Sequence, residues 1–210
     1  MARLLEICVD SLASARAAIR GGADRIELCS ALITGGLTPY VELLQQIRED
    51  SDIPVRCLMR PRSGDFLYSR DEINLMVRQI HALKAAGADG FVIGCLTAHG
   101  NLDAEALKPL IDAVDGAGLT LHRCIDVSCD PMETYLQAGC LGFDTVLTSG
   151  AAANCMDGLD TLRSLLTLRD RMNGPEILIG AGVNPVTAQS ILQVLPNIRA
   201  FHGSCKAMAE

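Results

Sequence analysis

The chain has 210 residues, of which 49% are hydrophobic, and its net charge is −7. This is enough apolar material for one sizeable core, so we expect a single domain over residues 1–210. The acidic balance argues against nucleic acid and anionic membranes as the main partners, because both favour a basic protein surface, and no apolar run is long enough to span a bilayer.

Cysteine usage indicates a reducing compartment. The count of nine is odd, most of the cysteines lie inside apolar runs, and the first residues enter a strand pattern without the features of an export signal. These properties favour reduced thiols over a disulfide framework. We therefore expect a cytoplasmic protein in which most cysteines pack in the core as small hydrophobic residues.

Eight short apolar runs predict eight β-strands, at residues 4–9, 25–28, 54–59, 90–96, 119–125, 143–147, 177–179 and 198–202. Seven amphipathic segments between them predict helices, and most of these segments begin with a residue that caps helices well. The predicted caps are Asp10 or Ser11, Thr38 ahead of Pro39, Ser69, Asp103, Asp130 ahead of Pro131, and Asn184 ahead of Pro185.

The regular alternation of strands and helices, with a repeat of roughly 25 residues, predicts a (β/α)8 barrel. An open doubly wound sheet is the alternative, but polar residues follow nearly every strand, whereas an open sheet gathers them at one switch point. The segment after residue 203 is too short for an ordinary helix. We therefore expect the final helix to be short or missing, and the outer faces of strands eight and one to be covered by a neighbouring subunit or a further extension.

A repeated Glu-x-Cys pattern marks the first two strands. Glu6 and Cys8 in the first strand are two residues apart and so point to the same side, as do Glu27 and Cys29 in the second. A carboxylate inside a sheet that is covered on both faces needs a partner. The pattern therefore predicts a polar cavity at one end of a closed barrel.

Active sites of (β/α)8 barrels lie at the carboxyl ends of the strands. The polar residues found there are Glu6, Cys8, Glu27, Cys29, Arg60, Arg62, Asp65, His122, Arg123, Asp126, Thr148, Ser149, His202 and Ser204. On the fifth strand, alternation predicts that His122, Cys124 and Asp126 share one face, while Arg123 points away or belongs to the loop. We expect the acids, arginines and histidines to face one cavity that binds a metal, an anion or both.

Several motifs resemble the CutC family of copper homeostasis proteins. They are Glu-Ile-Cys-Val-Asp-Ser at 6–11, Gly-Gly-Ala-Asp-Arg-Ile-Glu-Leu-Cys-Ser at 21–30, Gly-Gly-Leu-Thr-Pro at 35–39, Arg-Pro-Arg-Ser-Gly-Asp-Phe-Leu-Tyr-Ser at 60–69, His-Arg at 122–123, Leu-Thr-Ser-Gly at 147–150 and Phe-His at 201–202. The resemblance implies a TIM-type barrel, a cytoplasmic location, homo-oligomers and a role in copper handling. The sequence departs from the usual family pattern at Ser63, Cys124-Ile125 and Ala181, and it stops where family members continue.

The first functional hypothesis is Cu(I) binding. The resemblance places the metal at cysteines that match Cys8 and Cys29, and thiolates are soft ligands that select Cu(I). Neighbouring parallel strands lie about 4.8 Å apart, so equivalent positions can bring two thiols to one ion. The same separation suits a disulfide, and simple core packing of two small residues is the remaining interpretation.

The second hypothesis is an enzyme that acts on a small anionic or phosphorylated metabolite. Its catalytic residues would be Glu6, Glu27, Arg60, Arg62, Asp65 and His122. One glutamate would act as base and the histidine as acid, while the arginines would hold the anion. Barrels often bind phosphate at Gly-rich turns after the last strands, so the ligand-binding candidates are Ser149, Gly180, Gly182 and His202. The alternative is that the two glutamates only pair with Arg60 and another basic residue in a buried network.

Overall fold

The alternating pattern produces a closed barrel of parallel strands with helices around it. The computed structural model describes residues 3–204. The strands are β1 (Leu4–Val9), β2 (Arg25–Leu28), β3 (Val55–Leu58), β4 (Gly90–Ile93), β5 (Gly118–Leu121), β6 (Thr145–Thr148), β7 (Glu176–Ile179) and β8 (Ala200–Gly203). The helices are α1 (Leu12–Arg20), α2 (Val41–Asp50), α3 (Arg70–Ala85), α4 (Ala104–Val114), α5 (Pro131–Cys140), α6 (Leu159–Met172) and α7 (Pro185–Val194). None of these helices has both the length and the apolar character that crossing a membrane requires.

Strand pairing closes the sheet. Each strand pairs in parallel with the next one along the chain, and β8 pairs with β1. The predicted (β/α)8 barrel is confirmed, and the open doubly wound sheet is wrong. The register between β1 and β8 places Glu6 beside His202, and the register between β1 and β2 places Cys8 beside Glu27. Closure of the barrel therefore assembles polar residues from both ends of the chain.

Most of the predicted helix caps are confirmed. In five helices a predicted side chain accepts hydrogen bonds from backbone N–H groups of the first turn, namely Ser11, Ser69, Asp103, Asp130 and Asn184. The exception is α2, which begins at Val41 rather than at Pro39 and has no side-chain cap. Thr38 is used elsewhere: its hydroxyl accepts the backbone N–H of Arg60 at 3.0 Å, which ties the loop before α2 to the end of β3.

The predicted fifth strand, residues 119–125, is wrong at its carboxyl end. β5 ends at Leu121, and a 3₁₀ helix at Arg123–Val127 follows. His122 starts this turn, because its Nδ1 accepts the backbone N–H of Cys124 at 3.2 Å. Strand alternation therefore does not apply here: Cys124 is fully buried in the core outside the barrel, whereas His122, Arg123 and Asp126 all line the cavity at the carboxyl end.

The interior of the barrel is filled towards its amino end. The main core lies between the barrel and its helices, while two smaller apolar clusters lie inside, one of Cys8, Cys29, Leu58 and Val92 and one of Leu147, Leu178 and Ala200. Below them Arg56 crosses the interior and donates to Thr120 Oγ1 at 2.5 Å and to Asp144 Oδ1 at 2.7 Å. Space for a ligand therefore remains only towards the carboxyl end within the described part of the barrel.

The expected poor cover of β8 and β1 is not seen at their main apolar side chains. Ile7 and Phe201 belong to the outer core and are only 5% and 6% exposed, although Leu5 is half-buried. Residues 205–210, on which the expectation of a short or missing final helix depends, lie outside the described residues. Coverage of this surface by a neighbouring subunit stays a prediction.

Gly90 provides a test of the packing inside the barrel. A Cβ at this position would lie 2.5 Å from the backbone carbonyl oxygen of Gly118 on β5, and a backbone atom cannot move aside cheaply. We predict that Gly90→Ala lowers the free energy of unfolding by about 2 kcal/mol, as overpacked interiors do, measured by urea denaturation.

Gly21 supplies the control for this experiment. It has a φ of −77° and its Cβ would lie 3.3 Å from the nearest atom, so Gly21→Ala should change stability little. Equal losses in the two variants would contradict the assignment of the Gly90 effect to its close contact with β5.

Candidate functional site

A cavity of about 570 Å³ opens at the carboxyl end of the barrel. Six residues that the sequence singled out line it, namely Cys8, Glu27, Arg60, His122, Gly182 and His202. Three further residues expected at this end, Arg123, Asp126 and Ser204, line it as well. The barrel therefore gathers polar side chains from the ends of β1, β2, β3, β5 and β8 at one mouth, as the alternating pattern predicted.

Several of the predicted site residues lie behind the cavity wall. Glu6, Cys29 and Ser149 are fully buried and do not line the cavity. Gly180 is also outside the lining, because it packs against Leu147 and His202, and a Cβ there would lie 2.8 Å from the Leu147 side chain. These residues support the mouth from below, and the cavity lies above them.

Arg62 and Asp65 do not face the cavity, which corrects the expectation from the sequence. They form an ion pair at 2.9 Å on the exposed part of the loop after β3, and Arg62 also pairs with Glu72 at 2.6 Å. The Arg62 guanidinium donates in addition to the Leu67 carbonyl oxygen at 2.7 Å. These contacts fix the loop and leave the Arg62 charge already neutralised by two carboxylates.

Cys8 and Cys29 place two sulfur atoms side by side. Their Sγ atoms are 3.6 Å apart, and Cys8 Sγ donates to Glu27 Oε1 at 3.4 Å. Hydrogen bonding with Cys29, burial and the charge of Glu27 together raise the pKa of the Cys8 thiol well above its ordinary value. Cys8 is therefore a protonated thiol at neutral pH in this form of the protein.

Glu6 lies at the centre of a buried charged network. Its Oε2 accepts from Arg25 Nε at 2.5 Å, and its Oε1 lies 2.8 Å from His202 Nδ1. Burial raises the pKa of Glu6, but the hydrogen bond and charge of His202, together with Arg25, outweigh it and leave the pKa below its ordinary value. The alternative in which both glutamates pair with Arg60 is wrong: Glu6 pairs with Arg25 and His202, and Glu27 accepts from Cys8.

Glu27 and His202 both have pKa values above their ordinary values. Burial raises the pKa of Glu27, although the charge of His202 partly offsets this effect. Burial lowers the pKa of His202, but the charges of Glu27 and Glu6 outweigh it and leave the pKa above its ordinary value. The mouth therefore holds a carboxyl group that retains its proton more readily than usual, next to an imidazole that does the same.

Cys8, Glu27 and His202 together have the arrangement of a metal site. One ligand atom from each residue lies within 4.8 Å of the others. His202 uses Nδ1 to contact the Glu6 carboxylate, which leaves Nε2 as its ligand atom. A carboxylate behind a histidine in this way fixes the ring and raises its basicity in known metal sites. The donor set thus combines a thiol, an imidazole and a carboxylate.

Arg60 lines the cavity at the end of β3 and makes no ion pair with any described carboxylate. Its Nη1 donates to the carbonyl oxygens of Thr34 at 3.3 Å and Gly36 at 3.2 Å, and its Nη2 donates to Gly64 at 2.9 Å. A Cβ at Gly35, whose φ is +92°, would lie 2.9 Å from Nη1, so the Gly-Gly loop makes room for the guanidinium. The side chain is only 9% exposed, and its Nε has no partner.

His122 is a buried neutral imidazole. Burial, with a smaller contribution from the Arg60 charge, lowers its pKa to about 3. Because Nδ1 accepts a backbone N–H, the single proton of the ring lies on Nε2, which has no hydrogen-bond partner. Gly94 makes room for the ring, since a Cβ there would lie 2.4 Å from it. Phe66 packs against the ring with centroids 4.6 Å apart.

The remaining polar residues form a closed network at the end of β6. Asp126 accepts hydrogen bonds from the side chains of Thr148 and Ser149 and from the backbone N–H of Ala151, and it pairs with Arg123 at 2.7 Å. Ser149 also accepts from Arg123 Nη2 at 3.0 Å. Ser149 therefore supports the wall of the cavity through Asp126.

Sequence reasoning missed three residues that shape the site, Arg25, Phe66 and Gly94. The sequence could have indicated Arg25, because it lies two residues before Glu27 on the same strand and so faces the same side of the sheet. Phe66 lies within a loop whose path the sequence does not define, and Gly94 lies inside residues 90–96, a run that predicts a strand. Their roles depend on contacts between distant segments.

A closed (β/α)8 barrel with thiol, carboxyl, imidazole and guanidinium groups at one mouth defines a class of barrel proteins that bind a small ligand or an ion. The chain belongs to the CutC family, whose family model matches residues 3–207. A CutC family protein of Photobacterium profundum is 42% identical over 207 residues, which are 97% of this chain and 82% of that protein. One of Agrobacterium fabrum is 44% identical over 206 residues, 98% of this chain and 80% of that protein.

Solved structures agree with this assignment. The CutC structure from Streptococcus agalactiae, a proposed copper homeostasis protein, has a TM-score of 0.89 and 28% identity, and it covers 96% of this chain and 98% of that chain. A 2,3-dimethylmalate lyase structure has a TM-score of 0.62 at 15% identity, covering 97% of this chain and 76% of that chain, and it shows the barrel fold alone. The predicted membership of a copper homeostasis family is confirmed.

Replacing Glu6 tests the buried network. Glu6→Gln removes the carboxylate that neutralises Arg25 and His202, and a broken buried ion pair leaves a charge without compensation. We predict a loss of about 3 kcal/mol in the free energy of unfolding. Asp50→Asn, which breaks the exposed Arg16–Asp50 pair, should change stability little and serves as the control.

The difference between wild type and Glu6→Gln should depend on pH. The lowered pKa of Glu6 means that its stabilisation declines as the pH falls below the ordinary value of 4.5. The raised pKa of His202 means that its stabilisation declines as the pH rises above the ordinary value of 6.5. Denaturation across this range should show the largest difference between these two values, and a difference independent of pH would contradict the charged network.

Proposed function

We propose that the protein binds Cu(I) through Cys8 and Cys29. The observation that carries the proposal is the distance of 3.6 Å between the two Sγ atoms. Metal–thiolate bonds are about 2.3 Å long in zinc proteins, so two sulfurs at this separation can both contact one ion. Thiolates are soft ligands and favour Cu(I) over harder cations, which agrees with the copper homeostasis family of the chain.

His202 is the proposed third ligand. One of its ring nitrogens lies within 4.8 Å of Cys8 Sγ, and its Nδ1 contacts Glu6, which leaves Nε2 available to an ion. Such a carboxylate–histidine pair presents the second nitrogen to the metal in a fixed direction. A site of two thiolates and one imidazole is consistent with a soft monovalent ion, and Glu6 would contribute through the orientation of His202.

Glu27 is the proposed proton acceptor at this site. Metal binding requires thiolates, so a protonated Cys8 must lose its proton when an ion binds. Glu27 Oε1 already accepts the hydrogen bond from Cys8 Sγ at 3.4 Å, and Glu27 Oε2 has no partner. Binding by two thiolates displaces two thiol protons, of which the Glu27 carboxylate can take up one while the other passes to solvent. Because of this net release, the apparent affinity for Cu(I) should rise with pH.

The proposed compartment is the cytoplasm, where reduction keeps the thiol pair available. All eight cysteines among the described residues are free thiols, including Cys8 and Cys29. The separation of the pair also allows a reversible disulfide, which would compete with the metal under oxidising conditions. The expected homo-oligomer stays a prediction that light scattering can check, and an enzyme acting on a small anionic metabolite stays the alternative function.

A Cu(I) competition titration under reducing conditions tests the proposal. Replacing residues that only support metal ligands typically lowers metal affinity by about 10–100-fold. Glu6→Gln should lower the Cu(I) affinity within this range, because Glu6 acts only through His202. The double variant Cys8→Ser with Cys29→Ser removes ligands themselves and should lower the Cu(I) affinity by more than about 100-fold. The matched control is the exposed pair Cys129 and Cys140, whose replacement by Ser should leave the affinity unchanged.

The proposal is contradicted if the Cys8 and Cys29 double variant retains the wild-type affinity for Cu(I). If the Cys129 and Cys140 variant then loses this affinity, copper is held by surface thiols. Circular dichroism of each variant confirms that the fold is retained during the titration.

A further inference from the structure

Arg60 is a buried cation whose charge is not compensated within the described residues. It is only 9% exposed, and its hydrogen bonds go to three backbone carbonyl oxygens, of Thr34, Gly36 and Gly64. A guanidinium has five N–H groups, so Nε–H and one N–H on Nη2 are left without an acceptor. Buried charges normally pair with an opposite charge, because transfer of an unpaired ion out of water is costly.

His122 adds another donor without a partner. It is 5% exposed, its Nδ1 is occupied as an acceptor, and its Nε2–H has no acceptor. A neutral imidazole in this state donates a hydrogen bond to an oxygen atom and cannot accept one through Nε2. The same cavity is lined by His122 and Arg60, and the Phe66 ring contacts both.

We propose that Arg60 and His122 bind the carboxylate group of a small organic monoanion, and that the Phe66 ring moves aside to admit it. The ring lies 5.3 Å from the Arg60 guanidinium carbon and 4.6 Å from the His122 ring, and neither Arg60 Nε nor His122 Nε2 is exposed. Phe66 belongs to the loop after β3 and is itself only half-buried, so its outward movement uncovers both donors without changing the barrel.

The number and charge of the available groups favour a carboxylate over a phosphate. Two N–H groups of one guanidinium match the two oxygens of a carboxylate, and the imidazole supplies one further donor. A phosphate dianion would need more donors and a second cation, yet the nearby Arg123 is already neutralised by Asp126. Glu27, on the same lining, also opposes a second negative charge.

The cavity suits a ligand with a short carbon skeleton. Its volume of about 570 Å³ lies in the range of small-molecule sites. Leu58, Leu147 and Val183 add apolar surface to its lining. Arg60 and His122 are not among the proposed copper ligands, so a carboxylate bound to them leaves those ligands unused, which separates this site from the proposed metal site.

Titration of the metal-free protein with pyruvate, followed by saturation-transfer NMR, tests the proposal. We expect saturable binding with a dissociation constant at or below about 1 mM. Arg60→Lys keeps the charge but removes the paired donors, and it should weaken binding by about tenfold or more. His122→Gln should weaken it as well. Arg62→Lys, in the same loop and already paired with Glu72, is the matched control and should bind as the wild type does.

Three further measurements keep the test decisive. Phe66→Ala uncovers the donors, so it should bind pyruvate at least as tightly as the wild type. The His122 Nε2–H resonance, identified by its loss in His122→Gln, should shift on binding. The Cys8 and Cys29 double variant should bind pyruvate normally, which distinguishes this site from the metal site.

Three results would overturn the proposal. One is the absence of saturable pyruvate binding in both the wild type and Phe66→Ala. Another is that Arg60→Lys and Arg62→Lys bind pyruvate with equal affinity. The third is tighter binding of inorganic phosphate than of pyruvate, because it would show that the site was matched to a different anion.

Discussion

The buried carboxylate of Glu6 is the interaction on which the mouth of the barrel depends. It connects β1 to β2 through Arg25 and to β8 through His202, and the pairing of β8 with β1 is what closes the sheet. An ionised carboxylate inside a protein requires nearly complete compensation, so these three residues have to be held in one arrangement. The position of His202 beside Cys8 and Glu27 follows from that arrangement.

The cavity above this network has two chemically different sides. On the β1 and β2 side, burial and mutual hydrogen bonding keep a thiol protonated next to a carboxyl group that also favours its proton. On the β3 and β5 side, the Arg60 guanidinium has no carboxylate partner among the described residues, burial keeps His122 neutral, and both side chains have donors without acceptors. The first side is suited to a soft cation that displaces protons, and the second to an anion that accepts hydrogen bonds.

Local signals were sufficient for the fold and for part of the site. Apolar runs, helix caps such as Ser69 and Asp130, and the Glu-x-Cys spacing each act over a few residues, and alternation then implies the barrel. The failures have two sources. The turn after β5 depends on a local hydrogen bond, from the Cys124 backbone N–H to His122 Nδ1. The other contacts join separate segments: Arg62 is held by Glu72 of the next helix, and Gly94, just after β4, provides the room for His122.

The central claim is that barrel closure builds a copper site from residues at the start and end of the chain. Anomalous diffraction at the copper edge, from crystals soaked with Cu(I) under reducing conditions, tests it most directly. The account predicts one strong peak in contact with the sulfur atoms of Cys8 and Cys29 and within bonding reach of His202. A peak at Cys129 or Cys140, with none at the mouth of the barrel, would contradict it.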